Sequence, residues 1–215
     1  MSLSFDFRVV ELLFSRMCHD LVGPVGAAVN GVELLEEFGG EMADEAITLL
    51  GSSARVASRR LRVYRVAYGM AAGAAISSLA DLRSLVTEFL DGGKITLEWP
   101  DNKMPQVHVG RNAIKAVLNM AICAAETLPR GGSLNASVDS SGSDLLITIV
   151  SKGQGARLAE GVGDALGGNV SPERLDPRTV QAYFTAQVTK AFGSGVKFEE
   201  ATDQVTFSCR VSASE

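Results

Sequence analysis

LLFSRMCHDLVGPVGAAVN, residues 12–30, decides how the chain folds, because it sets one of only two histidines on the outside of a helix with coiled-coil periodicity. Phe7, Val10, Phe14, Met17, Leu21, Pro24, Ala28, Gly31 and Leu35 follow one another at alternating spacings of three and four, the a/d pattern of a helix buried along one seam. His19 then takes position f. Side chains at f point away from the seam, so the imidazole is expected to be open to a partner.

Working outward, the pattern predicts a helix over residues 6–37, about 45 Å long at 1.5 Å per residue. Pro24 cannot donate to the carbonyl of Asp20, which predicts a kink or loosened turn just after His19. Phe38-Gly39-Gly40 ends the helix, the glycines supplying left-handed backbone. A second helix over 43–71 carries Ile47, Leu50, Ala54, Ala57, Leu61, Tyr64 and Tyr68 at the same alternating spacings. So short a connection dictates an antiparallel hairpin. Val9, Leu13, Val25, Val29, Val32 and Leu34 lie beside the stripe and exceed what one hairpin can cover. Two hairpins pairing into a four-helix bundle would bury them, which predicts a homodimer.

The composition changes at residues 69–78, GMAAGAAISS, placing a boundary between a helical hairpin domain, 1–74, and a second domain, 75–215. The second domain reads as a helix over 79–90 ended by Gly92-Gly93, then a strand over 94–99 in which Ile95, Leu97 and Trp99 alternate. A helix over 111–127 follows, then a hairpin of strands 133–139 and 144–150 turning at SSGS. A loop over 151–177 holds a short helix near 156–165; a helix over 178–192 and a hairpin of 196–200 with 205–211 complete an α/β sandwich with a largely antiparallel sheet. The fold class is α+β.

With 46% hydrophobic and 21% charged residues, the chain suits a soluble globular protein of one or two domains. A net charge of -5 argues against general nucleic-acid binding, which needs a basic surface. No uncharged apolar run approaches the roughly 18 residues of a membrane span. Asp6, Arg8 and Glu11 stand where a signal peptide needs its apolar core, so no membrane association and a cytoplasmic location are expected. Cys18, Cys123 and Cys209 are odd in number and far apart, which supports neither a disulfide framework nor a zinc site.

Around His19 the helical neighbours are Ser15, Arg16, Val22 and Gly23, with Gly26 and Asn30 further along the strip. Small side chains there let another protein's backbone approach closely, as transfer between two proteins requires. The alternative is a solvated histidine on a helix whose glycines merely permit tight packing. If the hairpin turns near Gly40, residue 19 stands level with residue 61, amid Arg55, Arg59, Arg60, Arg62 and Arg65. Glu33, Glu36, Glu37, Glu41, Asp44 and Glu45 collect at the far tip. A basic waist suits a phosphohistidine, whose phosphate carries about -2 charge, or an acidic docking partner; a solvated charge run is the other reading.

His19-Asp20-Leu21 followed by Gly23-Pro24 resembles the H-box of bacterial sensor histidine kinases, in which a phosphoacceptor histidine and an acidic neighbour precede a proline on a dimeric hairpin. AIKAVLNMAICAAET, residues 113–127, is similar to the kinase N-box helix, with Cys123 where the resemblance places the magnesium-coordinating asparagine. Ser151-Lys152-Gly153-Gln154-Gly155 resembles the D-x-G-x-G motif with Ser151 in place of the adenine-reading aspartate. The glycine-rich lid and second glycine box have no counterpart, since the corresponding helix begins near Val180-Gln181-Ala182-Tyr183. A thiol is a poor ligand for hard magnesium, a serine offers adenine no carboxylate, and without the lid the phosphates lose their backbone cradle. These losses predict no ATP binding and no cofactor held by this chain.

Across residues 5–212, and most closely through CHDLVGPVGAAVNGVELL at 18–35, the chain is similar to the ChpT-type histidine phosphotransferases of bacterial cell-cycle phosphorelays. That resemblance implies a dimer with a degenerate histidine-kinase-like second domain, and His19 as the phosphoacceptor. It implies a CckA-like hybrid-kinase receiver as donor and CtrA-like and CpdR-like response regulators as acceptors, with Mg2+ coming from the receiver. Ser15, Arg16, Asp20, Val22, Gly23, Gly26, Asn30, Arg59 and Arg62 are the expected partner-docking residues. Asp20, about 100° around the helix from His19, would orient the imidazole only indirectly, and His108 in PQVHV is expected at the surface. Two rivals are an active histidine kinase with an unorthodox nucleotide site and a receiver-docking module that accepts no phosphate.

Overall fold

A computed structural model describes residues 6–69, 76, 78–107 and 109–213. His108 and most of the expected boundary at 69–78 lie outside the described residues. Helix α1 spans Phe7–Phe38, opened by Asp6, whose carboxylate accepts the Arg8 backbone N–H at 2.8 Å. It runs through Pro24 as one helix, so the loosened turn expected there does not divide it. A 3-10 turn over Gly39–Met42 leads into α2, Ala43–Ala67, which packs antiparallel on α1.

Burial along the two stripes is uneven. In α2, Leu50 and Ala57 are half-buried and Tyr64 is buried, whereas Ile47, Ala54 and Leu61 stand open. In α1 the half-buried Val10, Met17 and Pro24 lead to a buried Gly31, while Phe7 and Phe14 are 73% and 59% exposed. The seam is therefore closed unevenly: on the closed face Leu21, Ala28 and Leu35 are half-buried like Val10, Met17 and Pro24, whereas Phe7, Phe14, Ile47, Ala54 and Leu61, with Val25, Val29 and Val32, are exposed in the single chain. Gly31 is required by the closed face, because a Cβ there would stand 3.0 Å from the Ala46 carbonyl oxygen and 3.1 Å from the Leu50 nitrogen.

Helix α2 stops at Ala67 instead of continuing to 71, and the reason lies in a distant helix. Lys115 Nζ lies 3.5 Å from the Tyr68 carbonyl oxygen, and Asn119 Nδ2 donates to the Ala67 carbonyl at 3.2 Å, so a cation and an amide cap the helix C-terminus.

Helix α3, Leu79–Leu90, begins with a capping box between Ser78 and Asp81. Strand β1 (Ile95–Glu98), helix α4 (Arg111–Glu126), strands β2 (Gly132–Ser141) and β3 (Asp144–Lys152), helices α5 (Val162–Leu166) and α6 (Val180–Phe192), and strands β4 (Lys197–Ala201) and β5 (Gln204–Ser212) complete the chain. The sheet has the order β1-β2-β3-β5-β4; β1 and β2 are parallel and the other pairs antiparallel. Gly142, at φ +63°, makes the left-handed turn between β2 and β3.

Alternation along the strands puts Leu134, Ala136, Val138, Leu145, Ile147, Ile149, Val205, Phe207, Cys209 and Val211 on one buried face. Helix α4 lies across that face and is itself covered by α2 and α6, so residues 113–124 are buried throughout; this accounts for a helix that is apolar nearly all round. Val63, Tyr64, Val66 and Ala67 of α2 belong to the same core as the sheet. The short helix expected near 156–165 is found at Val162–Leu166, where it opens after Gly161, whose φ of +77° is left-handed and breaks any helix running through it. Among the described residues no helix is long and apolar enough to cross a membrane, and all three cysteines are free.

Candidate functional site

His19 stands on the outer face of α1 with 89% of its side chain exposed. Ser15, Val22 and Gly23 flank it, Gly26 and Asn30 lie further along the same strip, and all five are exposed. A Cβ built on Gly23 or Gly26 would meet nothing within 4 Å, in contrast to Gly31. Glycine inside a helix costs about 1 kcal/mol relative to alanine, and at these two positions no contact within the chain offsets that cost. The free space lies outside the molecule, beside the histidine.

Arg16 and Asp20, expected in the same docking group, turn the other way. Arg16 is only 16% exposed; it pairs with Glu126 at the end of α4 and donates to the Pro177 carbonyl at 3.2 Å. Burial draws its guanidinium pKa down, but Glu126, Tyr68, Asp20 and Tyr64 outweigh it and the net shift is upward. The Asp20 backbone carbonyl accepts from Arg60, and its Oδ2 accepts from the Tyr64 hydroxyl at 2.5 Å. Its other oxygen, Oδ1, lies 3.5 Å from His19 Nδ1. The level inferred from equal rise along the hairpin, residue 19 opposite 61, is thus realised by Asp20 meeting Arg60 and Tyr64.

Arg16, Asp20, Arg60, Tyr64, Phe89, Ile122, Ala125 and Glu126 line a cleft of about 210 Å³ between the hairpin and the sheet unit. Two arginines there face two carboxylates over an apolar floor. Burial, with a lesser push from Asp20, raises the Glu126 carboxyl to about 7 against the opposing pull of Arg16. Burial and the Asp20 carboxylate hold the Tyr64 hydroxyl protonated well above the ordinary tyrosine range, so it serves as a donor.

The basic waist is less charged than its arginine count implies. Arg59 pairs with Asp91 and Arg62 with Glu88, both from the sheet unit, and Arg60 is committed to Asp20. Arg62 remains about half exposed, whereas Arg59 is largely covered.

Behind Tyr64 the polar contacts run into the core. Tyr64 stacks on Tyr68, with ring centroids 5.3 Å apart. The Tyr68 hydroxyl donates to Gln181 Oε1 at 2.6 Å, and Gln181 Nε2 donates to Asn119 Oδ1 at 3.1 Å. Tyr64, Glu126 and Gln181 were not singled out from sequence. Glu126 carried a signal, since an acid at a helix C-terminus opposes the helix dipole and so calls for a partner. Tyr64 read only as a position on the apolar stripe of α2, and Gln181 only as part of the start of the helix that replaces the glycine-rich lid.

In the segments similar to the nucleotide motifs, the polar groups are bonded to one another. Ser151 is buried, its hydroxyl 2.6 Å from that of Thr127 and donating to the Val205 carbonyl at 3.1 Å. The Gly155 N–H donates to Asp203 at 2.7 Å. Cys123 is buried with its sulfur 3.1 Å from the Thr185 hydroxyl, and burial pushes the thiol up to about 12.

Residues 79–204 match the family model described as the histidine phosphotransferase C-terminal domain. The chain is 34% identical to the protein phosphotransferase ChpT of Brucella abortus (strain 2308), over 92% of each chain. It superposes on the solved structure of a bacterial phosphotransferase with a TM-score of 0.77 and 32% identity, over 97% of this chain and 98% of that one.

Proposed function

The chain belongs to the histidine phosphotransferase family, and from that premise we propose that it relays a phosphoryl group between receiver-domain aspartates through phospho-His19. The observation that carries this reading is an 89% exposed imidazole on a rigid helix, beside two glycines whose missing side chains leave room only for something outside the molecule. Ser15, Val22, Gly23, Gly26 and Asn30 form the seat for the partner, with Arg62 as a further docking residue. Arg16 and Asp20 act from behind, tying the helix that carries the seat to Glu126 and to Arg60 and Tyr64, while Arg59 ties α2 to Asp91 of the sheet unit.

The transfer is an in-line displacement. The imidazole lone pair attacks phosphorus, the N–P bond forms, and the acyl-phosphate O–P bond breaks with its electrons returning to the aspartate carboxylate. Positioning supplies most of the catalysis in such a step. Mg2+ belongs to the receiver in this scheme.

Donor and acceptors on this reading are a CckA-like hybrid-kinase receiver and CtrA-like and CpdR-like response regulators, met by a cytoplasmic homodimer. His19→Ala is expected to abolish passage of labelled phosphate from a phosphorylated receiver to a second receiver; undiminished passage overturns the assignment. The chain is also read as having no use for ATP, supported by Ser151, Gly155 and Cys123 being engaged within the fold. Incubation with labelled ATP and magnesium is expected to leave the isolated protein unlabelled, and labelling of His19 would make it a kinase.

A further inference from the structure

We propose that Tyr64 is a positioning residue for His19, its hydroxyl holding the Asp20 carboxylate so that the other carboxylate oxygen faces His19 Nδ1 and leaves Nε2 as the phosphate-accepting nitrogen. The inference rests on His19 being the phosphoacceptor and adds Tyr64 as the residue that holds the carboxylate beside its ring.

Asp20 has two oxygens, and the structure gives each a separate task. Oδ2 accepts the Tyr64 hydroxyl at 2.5 Å, and Oδ1 stands 3.5 Å from His19 Nδ1. The backbone carbonyl of the same residue is held by Arg60, so the carboxylate hangs from a fixed point on α1. Tyr64 has little freedom of its own: it is buried and stacked on Tyr68, which is tied to Gln181 of α6. The exposed imidazole by contrast is unconstrained except at the Nδ1 contact. At 3.5 Å that contact is long for a hydrogen bond, and such contacts commonly tighten once a partner docks.

In the neutral ring one nitrogen carries the proton and the other the lone pair, and the bond made by one nitrogen selects the state of the other. Donation from Nδ1–H to Asp20 leaves the lone pair on Nε2, at the outer edge of the ring where a receiver approaches. Attack by Nε2 forms the N–P bond and releases the receiver's aspartate, and Nδ1 keeps its proton throughout. The product ring is cationic, so a carboxylate fixed beside Nδ1 stabilises the charge that develops during transfer. Without Tyr64 the carboxylate is free to rotate away, and the ring returns to Nε2–H, the tautomer ordinarily favoured in water, which hides the lone pair.

Tyr64→Phe keeps the stacked ring and removes only the hydroxyl. Nitrogen NMR of the histidine-labelled full-length protein, about two pH units above the ordinary histidine value, reads the tautomer directly; His19→Ala identifies which of the two signals is His19. The wild type is expected to show Nδ1–H and a bare Nε2, and Tyr64→Phe a shift towards Nε2–H. Transfer to a saturating receiver should slow about tenfold, the weight of one hydrogen bond to a charged group, with the receiver concentration at half-maximal rate unchanged. Asp20→Ala, which leaves the core intact, should give the same tautomer shift, and adding Tyr64→Phe to it should slow transfer no further. An unchanged tautomer in both variants, or a full tenfold loss from Tyr64→Phe in the Asp20→Ala background, overturns the proposal. Neither result touches the phosphoacceptor assignment, which fails only if His19→Ala still takes up phosphate.

Discussion

Glu126 shows how a single residue can tie the hairpin to the sheet unit and make the tie depend on pH. Its side chain is 35% exposed, yet its carboxyl is raised from the ordinary glutamate value to about 7, loss of surrounding water being the largest cause. A carboxyl with a raised folded-state pKa binds more protons in the folded than in the unfolded protein between those two values. Stability from this group is therefore full below the unfolded value and declines as pH rises from about 4.5 towards 7. Denaturant midpoints measured at steps from pH 4.5 to 8 should fall relative to those of Glu126→Gln, with the difference levelling off above about 7; parallel profiles would show that Glu126 does not titrate in that window. What sequence reading could supply at this scale was the type of residue and not its partner. His19 was legible because a heptad register fixes outward direction locally, whereas Arg16, Arg59 and Arg62 find Glu126, Asp91 and Glu88 through folding of distant segments.

Helix α1 separates two kinds of glycine, and the separation is testable. Gly31 is needed inside, against the backbone of Ala46 and Leu50, while Gly23 and Gly26 have open space over them. Gly26→Ala should raise the stability of the isolated protein by up to about 1 kcal/mol and, on the proposed docking at this face, slow phosphate transfer, because the added methyl would stand where the partner's backbone approaches. Gly31→Ala should lower stability by about 1–3 kcal/mol through overpacking and leave transfer by the remaining folded protein unchanged. Thermal melting and a transfer assay on the same two variants distinguish the roles. Both helices were plain from their spacings, and so was the alternation of β2, β3 and β5. The end of α2 was not, since the residues that stop it, Lys115 and Asn119, lie about fifty positions later in the chain. The uneven covering of the stripe, open at Phe7, Phe14, Ile47 and Leu61 and closed at Gly31 and Tyr64, was equally hidden, because periodicity records that a position is apolar and not which neighbour covers it.

The whole molecule carries an uncovered apolar band formed by Phe7, Phe14, Val25, Val29, Val32, Ile47 and Leu61. Bands of this kind mark interaction surfaces, and the hairpin's heptad spacing suits a second copy. Light scattering at micromolar concentration should return twice the 22.6 kDa chain mass, and Phe14→Glu with Leu61→Glu should return a monomer; a wild-type monomer would contradict the dimer. The last turns of α2 share a core with the sheet, so the hairpin is not a bead tethered to a second bead. The surface around His19 is consequently set when the chain folds, and on the proposed relay a visiting receiver would meet a preorganised seat. Its affinity is then not reduced by the cost of ordering that surface on each encounter, which suits a carrier that must release one partner before engaging the next.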